Sequence, residues 1–218
     1  MAYDLEEQEQ LATMKAWWTQ HGNLVTWLLI AALAVYAGWS GWNYYQRNQA
    51  VQAGQLFDEL QKAVTAKDNV KVQRAAQDME EKFPRTAYAQ MTGLTAAKSA
   101  FDSNDLKTAK LQLQWVIDHA ADEEYKAVAK VRLAGVLLDE KAYDDGLKLL
   151  VTDFPKAFAG LVADRKGDLL GAQNKLPEAR ASYEAALAAM EPRNPGRQLI
   201  QLKLDALGAA PASPKAAQ

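Results

Sequence analysis

From Ala16 to Gln46 this chain carries no Asp, Glu, Lys or Arg. No other feature restricts its fold as tightly. The apolar heart of the stretch runs from Leu24 to Trp42. At about 1.5 Å per residue, a helix of that length spans roughly 28 Å, close to the hydrocarbon thickness of one bilayer. Trp17 and Trp18 precede it, and Trp39, Trp42, Tyr44 and Tyr45 close it. Amphipathic rings favour the headgroup level, so these aromatics read as two interfacial belts. The pattern predicts one transmembrane helix over 24–42, preceded by a short segment, 1–23.

A cleaved signal peptide is the rival reading, because Ala32-Leu33-Ala34 has the small-x-small form of a cleavage site. Against it, Asp4, Glu6, Glu7 and Glu9 outnumber Lys15 where a signal peptide needs positive charge, and apolar residues continue past Ala34. The positive-inside rule barely discriminates, since Lys15 and the terminal amine lie on one side and Arg47 and Lys62 on the other. Bottom-up, the side occupied by the rest of the chain stays open. Within the span, Ala34, Ala37, Gly38 and Gly41 place small side chains at three- and four-residue spacing. That stripe would let a second transmembrane helix approach closely; small residues are also simply common in such helices.

Beyond Trp42 the pattern is helical and its breaks are regular. Phe83-Pro84, Phe154-Pro155 and the stretch from Pro192 to Pro195 each end a helix, because proline cannot continue the hydrogen-bond ladder. Between the breaks, a small residue recurs with another 12 positions later: Ala63 with Ala75, Ala97 with Ala109, Ala134 with Gly146, and Gly167 with Ala179. The pairs begin 34, 37 and 33 residues apart. Tetratricopeptide-type helix pairs need such residues where two helices cross closely. Four residues after each second small position stand Met79, Leu113, Leu150 and Tyr183, and four further on Phe83, Ile117, Phe154 and Leu187. Three before it stand Val72, Leu106, Tyr143 and Leu176, completing one helix face in a constant register.

The expected class is therefore all-α: the transmembrane helix, then a four-repeat tetratricopeptide-like array over 43–207. A C-terminal capping helix carries Leu199, Leu202, Ala206 and Leu207, and 208–218 reads as a disordered tail. No helix breaker lies between Trp42 and Leu56, so the span is expected to run on into the first repeat helix as a stiff stalk. Lys166 stands where a large apolar residue is expected, and the Trp, Tyr and Pro markers of the consensus are mostly absent.

Catalytic chemistry finds no foothold in the sequence. There is no cysteine, and His21 and His119 are far apart. That removes thiolate sites, paired imidazoles and the usual nucleophile–base triads. The stretch Gly167 to Ala172 lacks the lysine of a phosphate loop. Glu80-Glu81, Glu123-Glu124 and Asp144-Asp145 are adjacent on helices and do not face each other, so they read as solvated surface. No metal or cofactor is implied. The 25 Lys+Arg against 27 Asp+Glu leave no electrostatic footprint for nucleic acid.

A protein partner is the remaining expectation. In paired-helix arrays the first helices line the concave face. By register this groove comprises Phe57, Leu60, Val64, Met91, Leu94, Phe101, Val128, Val131, Leu138 and Leu161. Such a surface suits an amphipathic helix or an extended apolar segment; in a short array the same residues could instead bury one another. Leu60, Leu94, Val131 and Asp164 occupy the position of the lysine that clamps a terminal carboxylate in other arrays. Trp115 is a separate candidate: its equivalents are Glu81, Thr152 and Ala185, so the slot is expected to be exposed and the indole to anchor an interface or pack locally.

Several motifs resemble the YfgM family. They are the opening Met1 to Gln10, Lys15-Ala16-Trp17-Trp18, Gly22-Asn23-Leu24, and Gly41-Trp42-Asn43-Tyr44-Tyr45-Gln46. The resemblance covers essentially the whole chain and is most specific over Met1 to Gln49. It implies an ancillary subunit of the bacterial Sec translocon, with its short N-terminus in the cytoplasm and its repeat domain in the periplasm. The localisation implied is the inner membrane of a Gram-negative bacterium, as a single-pass type II protein. The partners implied are the SecYEG channel, the membrane-anchored periplasmic chaperone PpiD and emerging client proteins, with a link to envelope stress signalling. The alternative is a cytoplasmic-facing repeat scaffold in an envelope assembly or division machine. No catalytic residue is implied.

Overall fold

The computed structural model describes the backbone of residues 2–208 and the side chains from Glu7 onward. The expected disordered tail lies, from residue 209, outside the described residues. Among the described residues the regular elements are helices, with no strand. The first, α1, spans Ala2–Thr65. No proline occurs within it, so the hydrogen-bond ladder is never interrupted. It is the one helix among the described residues long and apolar enough to cross a membrane.

The chain divides into two compact units, Met1–Val51 and Gln52–Gln218. In the first, large apolar side chains are turned outward around the helix, with Trp27 65% and Val35 73% exposed. Water solvates such a surface poorly; hydrocarbon is the solvent that matches it.

The second unit comprises the end of α1 together with α2 (Asn69–Lys82), α3 (Ala87–Asp102), α4 (Leu106–His119) and α5 (Glu123–Asp139). It continues through α6 (Tyr143–Leu149), α7 (Ala159–Ala172), α8 (Leu176–Ala189) and α9 (Gly196–Ala206). Sequential helices pack on one another: α3 on α4, α4 on α5, α7 on α8, and α8 on α9. The small residues sit where the spacing requires. Ala63 and Ala75 share one core cluster, and Ala97 and Ala109 another. A Cβ on Gly146 would lie 2.9 Å from Leu169 Cδ2 and 3.5 Å from the Ala134 carbonyl oxygen, so α5 and α6 meet closely there. The large residues follow suit: Met79, Leu113, Leu150 and Tyr183 are all buried. Of the residues three before each second small position, Val72 is buried, Leu106 and Tyr143 are half-buried, and Leu176 is 41% exposed.

Each first helix of a pair leaves through the same turn. Lys67, Asn104, Lys141 and Asn174 have φ of 54°, 61°, 62° and 61°. In each turn the next N–H reaches five residues back: Asp68 to Ala63, Asp105 to Ala100, Ala142 to Leu137, and Lys175 to Leu170, at 2.8 to 3.0 Å. This left-handed closure satisfies carbonyls that the helix end would orphan. Asp68 and Asp105 then cap the following helices by accepting from the Lys71 and Thr108 amides; Ala142 and Lys175 cannot, and α6 and α8 start without a side-chain cap.

The second helix of the third pair is shorter than its proline break suggests. It stops at Leu149, where Leu150 and Val151 turn back to Leu147 and Lys148 in three-residue steps. Phe154, which precedes a proline and is disfavoured from helix, therefore leaves α6, yet its ring still packs on the Val131, Ala134 and Leu150 cluster.

Candidate protein-binding surface

Because α3, α5 and α7 alternate with shorter-range partners, their free faces come together. A cleft of about 340 Å³ opens there, walled by Ala97, Lys98 and Phe101 of α3, by Arg132, Gly135 and Leu138 of α5, and by Arg165 of α7. Phe101 is 40% exposed and supplies the apolar floor with Leu138, which leans on the Val131 and Leu169 cluster. Asp102 and Asp139 line the rim, and Lys98 Nζ holds Asp102 at 2.6 Å.

Behind the cleft lies a charged hub that ties three helices. Asp168 of α7 accepts from Tyr183 Oη of α8 at 2.9 Å, from Lys203 Nζ of α9 at 2.7 Å and from Arg165 at 3.1 Å. Lys203 also reaches Asp164 at 2.8 Å. Burial raises the Asp164 carboxyl above its ordinary value, opposed by the Lys203 hydrogen bond. Burial, and then the Asp168 charge, raise the Tyr183 phenol too. The hub is well suited to holding α9 against α7 and α8, since each acid there has a cationic partner.

The groove residues expected from sequence divide into three sets. Leu60, Leu94 and Val131 are 0%, 8% and 3% exposed. They are a correction: they belong to the core, because each fills the space beside a close helix crossing and offers no surface to a partner. Phe57, Val64, Met91, Val128 and Leu138 are half-buried, Phe57 with its ring 5.6 Å from that of Tyr88. Phe101 and Leu161 are the exposed ones, although Leu161 does not line the cleft.

Trp115, expected to be exposed, is half-buried, in contact with the Met79 and Ala89 cluster and with that of Leu113 and Val116. Its indole stacks on His119, with centroids 4.7 Å apart. Its equivalents Glu81, Thr152 and Ala185 are exposed; the larger indole instead packs against two core clusters. In the first unit Ala34, Ala37, Gly38 and Gly41 face outward, and a Cβ on either glycine would meet nothing within 4 Å.

Arg132 and Arg165 were missed as site residues. The signal was available: each stands two positions before the first small residue of its pair, Ala134 and Gly167, so their side chains emerge from matching places on neighbouring helices.

Comparison with known proteins gives a consistent result. The family model for a tetratricopeptide repeat-like domain matches residues 15–209. A Neisseria gonorrhoeae protein named "Ancillary SecYEG translocon subunit" is 33% identical over 211 residues, covering 95% of this chain and 100% of that protein. Proteins of the same name from Escherichia coli and Haemophilus influenzae are 30% and 27% identical, over 83% and 85% of this chain and 87% and 91% of their own lengths.

Proposed function

This chain belongs to the YfgM family of ancillary SecYEG translocon subunits, and on that premise we propose that it is a membrane-anchored scaffold, without catalytic activity, that links the secretion channel to periplasmic chaperones. One observation carries the reading: a single chain joins an exposed apolar helix to a helical domain that the tetratricopeptide repeat-like family matches.

In this reading 1–23 is cytoplasmic, 24–42 crosses the inner membrane and 43–207 is a periplasmic array of four helix pairs capped by α9. The recurrence of one left-handed turn at Lys67, Asn104, Lys141 and Asn174 supports the count. The lock of Lys203 onto Asp164 and Asp168 supports the cap. The small-residue stripe at Ala34, Ala37, Gly38 and Gly41 packs against a transmembrane helix of the channel, because small side chains allow the close approach that drives helix association in lipid. The exposed part of the groove, Phe101 with Leu138 and the neighbouring half-buried residues, binds a membrane-anchored chaperone such as PpiD or an emerging client. Affinity there comes from apolar burial, about 25 cal/mol per Å² before association costs.

A periplasm-only enzyme reporter fused after Leu207, combined with gentle detergent purification, tests the reading. Reporter activity together with co-purification of SecYEG is the expected result. An inactive reporter, or recovery with cytoplasmic assembly factors alone, contradicts it and favours a cytoplasmic-facing scaffold.

A further inference from the structure

Two guanidinium groups stand in one cleft with most of their donors unmatched. Arg132 of α5 is exposed; among the described residues its hydrogen bond is a long one, 3.4 Å, to the Leu94 carbonyl, and it has no ion pair. Arg165 of α7 gives one nitrogen to Asp168, while its Nε is buried without an acceptor. A guanidinium offers five donors, and a buried one left unmatched is costly. Asp168 accepts from Tyr183, Lys203 and one terminal nitrogen of Arg165, and none of these bonds reaches Nε.

The backbone makes room for this arrangement. The Arg165 guanidinium lies across α5 at Gly135, where a Cβ would sit 3.3 Å from Cζ and 3.4 Å from one terminal nitrogen. Glycine in a helix interior costs about 1 kcal/mol relative to alanine. Its presence at this position lets the planar group lie flat beside Arg132's helix, on the wall of the cleft.

We propose that this cleft recognises an acidic–apolar peptide segment, with a carboxylate held by Arg132 and Arg165 and a neighbouring apolar side chain seated on Phe101 and Leu138. The proposal rests on the scaffold reading and gives its groove a ligand chemistry. Arginine forks match a planar carboxylate in two parallel hydrogen bonds, which a lysine cannot do. Asp139, on the rim, stands seven residues from Arg132 along the helix, or about 10 Å. It disfavours a second strong anion there, so the segment is acidic at one end and neutral or basic at the other. Shape provides the rest: the exposed Phe101 ring rewards an apolar residue next to the acid.

Full-length protein in detergent, with a fluorescein-labelled peptide Lys-Gly-Phe-Leu-Glu-Glu-Gly and its Gln-Gln counterpart, tests this by fluorescence anisotropy. The Glu peptide is expected to bind about tenfold more tightly than the Gln peptide, the difference expected of charge-assisted hydrogen bonds. R132Q should clearly reduce that preference, Arg165 remaining in place, without altering thermal unfolding, since Arg132 is exposed. F101A should weaken both peptides alike. Equal binding of the two peptides, or a preference undiminished in R132Q, overturns the carboxylate assignment; if F101A still weakens binding, the groove itself stands. Absence of binding by either peptide overturns the assignment and removes support from the groove as well.

Discussion

The Tyr183 ring on α8 lies over Gly167 on α7 so closely that a Cβ at that glycine would come within 2.4 Å of Cε1. The contact joins two links of the repeat register, the first small position and the large residue four beyond the second. Gly135, two helices earlier, faces only the flexible end of Arg165 at 3.3 Å. The two glycines therefore predict opposite outcomes. Gly167→Ala should destabilise by about 2 kcal/mol, because a buried ring cannot give way. Gly135→Ala should stabilise by up to about 1 kcal/mol, because helix propensity improves and the guanidinium shifts. Urea unfolding of the full-length protein in detergent reads both.

Lys141 holds a left-handed conformation, φ 62°, without any side-chain compensation. Lys141→Gly should stabilise the domain by about 1 kcal/mol, since glycine adopts this conformation without the steric penalty of a Cβ. The same change at exposed Lys148, within α6, should destabilise, which controls for loss of charge.

Trp115 bridges two core clusters, so Trp115→Ala should lower stability by about 2 kcal/mol through lost packing. Amide hydrogen exchange should show the loss in α2 to α4. An unchanged exchange pattern would mean that the indole is dispensable to the fold and freely available to a partner.

Asp164 sits partly buried with its pKa raised, chiefly by desolvation. A carboxyl whose folded pKa exceeds its unfolded value favours the folded state when protonated. That contribution is full below the unfolded value of about 3.8 and is lost as pH rises through the raised value. Asp164→Asn removes the penalty of charging. The stability of the variant relative to the parent should thus be highest at neutral pH and decline as pH falls towards 4, as measured by urea unfolding across that range.

Much of the fold was legible because small residues at helix crossings leave a rigid spacing. Ala134 with Gly146 and Gly167 with Ala179 could be read directly, as could the buried Met79, Leu113, Leu150 and Tyr183. The ends were less legible. Nothing in Lys67 or Lys141 announces a left-handed turn, whereas Asn104 and Asn174 are residues that tolerate one. The groove was only half legible: register says which side of a helix a residue occupies, but Leu60, Leu94 and Val131 lie where the next pair closes over that side. Arg132 and Arg165 escaped notice because an apolar criterion ignores long cationic side chains that line a cleft with their stems.

Site-specific photocrosslinking in native membranes reads the proposed partnership at the translocon itself. A photoreactive residue placed at Gly38 should capture a channel subunit, and one at Phe101 a periplasmic chaperone or an emerging chain, with Lys107 on α4 capturing neither. Crosslinks at Gly38 and Phe101 solely to proteins unrelated to secretion would contradict a role beside the channel.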